Sequence, residues 1–170
     1  MKSTLLILLF PLFALSQEID KDKYDEFNKI RTILTKTRLV DNSRNKFPFY
    51  VCGKSIDEKI IVYSFSVFFV PKETGTILSS TASVSFLFSD KSVLKFSNMQ
   101  EDKVVEAGSS VFISCQLNEV FLKKVKTVAV TKIRIDTGEE TQDYSFSDQT
   151  GIRDAIKALD EASKKPHPNQ

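Results

Sequence analysis

The chain changes its hydrophobic period once. Between residues 60 and 146 apolar side chains recur at every second position, and between 152 and 162 they recur at three and four. Period two belongs to strands, whose successive side chains face opposite sides of a sheet, and a period near 3.6 to a helix with one apolar stripe. The clearest strand is residues 60–70, where Ile61, Tyr63, Phe65, Val67 and Phe69 fall on one face. The other face is also apolar apart from Ser64 and Ser66, which predicts a central strand covered on both sides and ended by Pro71. Alternating runs at 83–88 and 93–96 flank Ser89-Asp90-Lys91-Ser92 and predict a hairpin, with no glycine to fix its turn.

Further strands are predicted at 111–117 and 127–135. The second puts Thr127, Ala129, Thr131, Ile133 and Ile135 on one face and Lys132 and Arg134 on a wet one. Asp136-Thr137-Gly138-Glu139 reads as a turn, and residues 144–146 return antiparallel. Then Ile152, Ala155, Ile156, Leu159 and Ala162 trace the helical stripe, with Ser147 or Asp148 as N-cap and Lys164 and Lys165 suited to the C-terminus. Residues 119–126 fit either a short helical turn or the continuation of a strand. In residues 19–40, Tyr24, Phe27, Ile30 and Leu34 would fit a helix face. The β-branched Thr32, Ile33, Thr35, Thr37 and Val40 favour extended chain from about Ile30. The expected class is α+β: an antiparallel sheet of about six or seven strands, with the C-terminal amphipathic helix packed on one face.

The N-terminus changes the picture of where the protein works. Lys2, the apolar run from Leu5 to Leu15 and the small residues Ala14 and Ser16 have the layout of a secretory signal peptide, with cleavage expected before Gln17. Residue 17 is not cysteine, so the lipid anchor of a bacterial lipoprotein is not expected, and no later apolar run is long enough to span a bilayer. The expected organisation is a signal peptide at 1–16, one domain at 17–163 and a disordered tail at 164–170. The expected location is periplasmic or extracellular. With 24 basic and 22 acidic residues the charge is nearly balanced, which gives no electrostatic reason to expect nucleic acid or an anionic membrane as a partner.

The chain has two cysteines, Cys52 and Cys115, and export permits a disulfide between them. Closing a loop of about 64 residues would contribute roughly 4 kcal/mol where the geometry allows it. Against a bond, Cys115 lies in the apolar run Val111-Phe112-Ile113-Ser114, where a small buried hydrophobe is the simpler reading.

Candidate chemistry is thin. His167, the single histidine, sits between two prolines in the tail, where nothing in the sequence promises to hold an imidazole, so triad and histidine–zinc chemistry are not expected. Gly53-Lys54-Ser55 resembles the end of a phosphate-binding loop, but Pro48 stands where the earlier glycine belongs. Gly108-Ser109-Ser110 lacks the second glycine of a nucleophile elbow. Asp20, Asp22, Asp25 and Glu26 lack the central glycine and closing glutamate of a calcium loop. Asp57, Glu58, Glu119, Asp136, Glu139 and Glu140 lie beside turns, with no pairing that would suggest a carboxylate hydrolase. Lys123, Lys124 and Lys126 form a basic cluster that could meet an anionic surface or simply keep a sheet edge solvated.

The stretches Asp25-Glu26-Phe27, Ile56-Asp57-Glu58-Lys59 and Ile133-Arg134-Ile135 through Leu159 give the chain a resemblance to small exported proteins of Bacteroidetes-type bacteria. These carry an Asp-x-Phe-Thr start, an Ile-Asp-Asp/Asn strand entry and a late Ile-Arg-Ile strand before a terminal helix. The match is one of pattern, and it departs at Asn28, where threonine is the family residue. The resemblance implies the compartment and the fold and brings no activity or cofactor with it. The expectation is a monomeric, non-enzymatic binding or structural module of the cell envelope, with a protein or small ligand as partner. The alternatives are a lipid- or glycan-binding protein with a pocket between helix and sheet, and behind it a carboxylate hydrolase.

Overall fold

A nine-residue strand, β5 (Ile61–Phe69), forms the spine of the protein in this computed structural model. The structure describes residues 18–41, 48–58, 60–72, 77–78, 80–100, 103–104 and 109–167. The expected leader at 1–16, Gly108 of the rejected nucleophile elbow and the last three residues of the tail lie outside them.

As its alternation predicts, β5 is central. It pairs antiparallel with β4 (Phe49–Ile56) on one side and β10 (Val111–Leu117) on the other. Phe65, Val67 and Phe69 are buried on the inner face. The outer face is only half-buried, and along it Phe49, Phe68 and Phe112 stack across the three strands at 4.7 and 5.1 Å between rings. Beyond β4 the sheet continues with β2 (Ile30–Thr35) and ends at β1 (Ile19–Asp25), and the two-residue β3 (Arg38–Leu39) also pairs with β4. Residues 19–25 are therefore extended as well, and the turn into β2 is held by Asp25, whose Oδ1 accepts from the backbone N–H groups of Phe27 and Asn28.

The predicted hairpin forms β7 (Ser83–Phe88) and β8 (Val93–Ser97). Its turn manages without glycine because Lys91 takes the left-handed conformation, φ 70°, beside Asp90, whose Oδ1 accepts from the Ser92 amide. Together with β11 (Val130–Asp136) and β12 (Thr141–Ser145) these strands form a second sheet of four, in the order β12-β11-β7-β8. A third pairing joins the short β6 (Ile77–Leu78) to β9 (Lys103–Val104). The antiparallel architecture is as expected, but its strands divide among sheets instead of forming one.

One facing assignment is corrected. Between Val130 and Lys132 the β11–β7 register slips, so Val130 is buried, Ile133 and Ile135 follow it inward, and Thr131 does not share their face. A bulge adds a residue and reverses the alternation, which strict period-two reading cannot anticipate.

Residues 119–126 resolve as a helix, α1 (Glu119–Val125), started by Asn118, whose side chain accepts from the Phe121 amide at 2.9 Å. Phe121 enters the core against Phe86, Phe88 and Phe96. The closing helix, α2 (Gly151–Lys164), buries Ile152, Ala155, Ile156 and Leu159 and packs on the inner face of β2 and β4. The N-cap is Thr150, not Ser147 or Asp148; Asp148 acts one step earlier, its Oδ1 accepting from the Thr150 amide and hydroxyl. Among the described residues no helix is long and apolar enough to cross a membrane.

Candidate functional site

Beneath the last two turns of α2 the inner face of the large sheet is polar. Inward positions of β4 read Tyr50, Cys52, Lys54 and Ile56, so Lys54 points at the helix and is only 6 % exposed. A buried ammonium is tolerated where its donors and charge are matched. Lys54 Nζ donates to Asp160 Oδ1 at 2.8 Å and to Ser163 Oγ at 2.9 Å, and lies 4.8 Å from the centre of the Tyr63 ring. The Tyr63 hydroxyl donates to the same Asp160 Oδ1. Burial opposes ionisation of Asp160, yet the bonds from Lys54 and Tyr63 outweigh it and hold the carboxyl below the usual carboxylate range. Burial, then the bond to Asp160, pushes the Tyr63 phenol up.

Lys54, Asp160 and Ser163 of this cluster form the floor of a groove of about 550 Å³. Val125 and Lys126 at the end of α1 line one side, and Arg153, Ile156, Lys157, Glu161 and Lys164 of α2 the other. Arg153 and Lys157 are one turn apart on the same helix face. The Lys164 ammonium is 2.8 Å from Glu161, and Arg153 makes one long contact from Nε to Asp154 at 3.5 Å. Lys126 and Lys157 have no ion pair among the described residues, so the lining carries a surplus of positive charge. Val125 and Ile156 supply its apolar part, and among the described residues no phenylalanine lines it. The phenylalanines instead fill the core ring against ring, as with Phe65 against Phe86 at 4.9 Å.

The sequence-level candidates are scattered. Of the basic cluster, Lys123 pairs with Glu119 at 3.0 Å, and Lys124 pairs with Asp90 at 2.6 Å over the Phe88 ring. Only Lys126 reaches the groove. Lys54 lies inside a strand, so Gly53-Lys54-Ser55 is not a loop able to wrap a phosphate. The turn carboxylates are engaged separately: Asp136 faces Lys95 at 3.6 Å, and Glu140 accepts from Gln142 and the Lys72 amide. Asp22 is held by Arg31 through a fork of two bonds at 2.9 and 2.7 Å.

The disulfide between Cys52 and Cys115 is not formed; both thiols are free and buried. Cys52 and Cys115 each sit directly opposite Phe65, on its two flanking strands. Adjacent strands are about 4.8 Å apart, so the two Cα atoms are separated by about twice that spacing. A disulfide needs no more than about 7 Å. His167 is not in a loose tail either: it is buried, with its ring 5.7 Å from that of Tyr24.

Sequence reasoning weighed Lys54 only as part of a phosphate-binding loop and passed over Tyr63, Asp160, Ser163, Arg153 and Lys157. A signal existed in the basic residues Arg153, Lys157 and Lys164, spaced to share one helical face, and in one lysine interrupting the inward pattern of β4. No protein-family model, curated protein or solved structure matches the chain.

Proposed function

We propose that the chain is an exported, non-enzymatic binding module that captures a small anionic ligand in the groove between α1 and α2. The observation that carries this reading is the pair of ammonium groups without a salt bridge among the described residues, Lys126 and Lys157, lining one opening with the little-used guanidinium of Arg153. Surface cations in excess of the carboxylates around them attract an incoming anion, and a concave setting strengthens the attraction. The volume is that of a small-molecule site. Export is supported by the leader pattern at 1–16 and by the likeness to exported proteins. Binding without catalysis is supported by the floor, where Asp160 is shifted down and its partner Tyr63 up, whereas proton transfer favours groups near the working pH.

Titration calorimetry with inorganic phosphate at low salt tests the reading. Binding is expected to weaken with added salt. It is expected to disappear in the double variant Lys126→Glu, Lys157→Glu, with thermal stability unchanged because both side chains are exposed. Equal binding by the variant overturns the reading.

A further inference from the structure

We infer that the ligand of this groove is a phosphate ester whose organic part carries hydroxyl groups, of the polyol-phosphate kind; this rests on the anion reading above and adds what the rest of the molecule must offer. The groove has two chemically different halves. On one, Lys126, Lys157 and the terminal nitrogens of Arg153 offer donors from two helices to a single anion. A fork and two point charges suit a phosphate, which has more oxygens and more charge than one carboxylate.

The other part is acidic, the Asp160 carboxylate together with that of Glu161, which Lys164 engages at 2.8 Å. Asp160 Oδ1 already receives Lys54 and Tyr63, while its Oδ2 has no hydrogen-bond partner among the described residues. A carboxylate oxygen only accepts, so it repels a second anion and must be met by a donor such as an alcohol O–H. Lys54 cannot serve as that donor or as the anion site. Two of its protons are spent on Asp160 and Ser163 and its remaining side faces the Tyr63 ring. It is a positioning residue that fixes Oδ1 and leaves Oδ2 for the ligand. The space of about 550 Å³ exceeds what a bare phosphate fills, leaving room for a short hydroxylated chain.

Calorimetry on the purified chain compares inorganic phosphate, glycerol 3-phosphate and glycerol. Glycerol 3-phosphate is expected to bind about tenfold tighter than phosphate, the gain of one good hydrogen bond to a charged acceptor. In Asp160→Asn, which keeps an oxygen for Lys54 and Tyr63 and replaces the charged outer acceptor by a neutral amide, the preference for glycerol 3-phosphate should shrink to about two- to threefold, because a hydrogen bond to a neutral group contributes less than one to a charged acceptor. The unmodified protein carries the comparison if that variant does not fold. Vesicles separate the sources of such a group: phosphatidylglycerol vesicles bound in preference to both phosphatidic acid vesicles and free glycerol 3-phosphate identify a lipid headgroup, and preference for the free ester identifies a soluble one. Equal affinity for phosphate and glycerol 3-phosphate overturns this inference and leaves the anion reading standing. Binding of none of the probes overturns both.

Discussion

Gly151, the first residue of α2, shows how one atom is constrained by packing. A Cβ built there would lie 2.5 Å from the Tyr50 hydroxyl and 3.0 Å from Asp148 Oδ2. Tyr50 is fully buried, stacked on Phe65 and edge-on to Phe146, so it cannot swing aside. Alanine normally favours a helix over glycine. Here Gly151→Ala should instead destabilise by about 1–3 kcal/mol, the cost of overpacking. Removing the hydroxyl as well, in Tyr50→Phe, should restore most of that in urea unfolding; a stabilising single substitution would refute the contact. The cysteines give a second prediction at this scale. Burial pushes both thiols up to about 12, leaving little thiolate at neutral pH. Neither should react with a thiol reagent until the protein unfolds, and reduction should not change its mass.

At the scale of elements, the end of α2 is capped from outside the helix. The guanidinium of Arg31 on β2 donates to the Lys165 carbonyl at 2.8 Å and the Ala162 carbonyl at 3.2 Å while forking onto Asp22 of β1. One side chain thus joins two strands to the helix and places a cation where the helix dipole is negative. Arg31→Met should cost about 2–4 kcal/mol by removing several charge-assisted bonds from a buried site. Arg31→Lys should recover little, since an ammonium lacks the fork. Hydrogen exchange should report the loss first at the last turn of α2. Uniform exchange would place the damage elsewhere.

The positions of these elements were legible from periodicity, including the strands at 61–69, 83–88, 93–97 and 111–117 and the closing helix. Periodicity predicts no strand at β4, because Gly53 and Lys54 interrupt its apolar pattern, and leaves α1 open, because seven residues hold too few turns to separate helix from strand.

For the whole molecule, ionisation ties the parts to pH. Arg31 holds Asp22 below its ordinary 3.8, and Lys54 and Tyr63, against burial, do the same for Asp160. Hydrogen bonds from Lys124 and Ser92 bring Asp90 to about 2. A carboxyl whose folded pKa is depressed adds stability that is fully present above the unfolded value and is lost as pH falls through the folded one. The melting temperature should therefore vary little through these groups down to about pH 4 and drop from there towards about pH 2. Asp22→Asn should lower stability at neutral pH and make the acid limb shallower. An unchanged acid slope would show that the Arg31 fork does not form in solution.

The sequence by itself determined what depends on neighbours along the chain: that most of residues 60–146 are extended and pair antiparallel, and that the final helix has one apolar face. These follow from alternation, spacing and turn residues. Tertiary structure alone decided what depends on which strand lies beside which. Cys52 and Cys115 are kept apart because β5 lies between β4 and β10. Val130 is buried and Thr131 is off the face of Ile133 and Ile135 because one bulge shifted the phase at the start of β11. Lys54 and Asp160, 106 residues apart, meet because α2 folds back over β4. Lys126 parts from Lys123 and Lys124 because the end of α1 points it into the groove. Periodicity records which way a side chain faces, and only the packing of remote elements determines what it meets there.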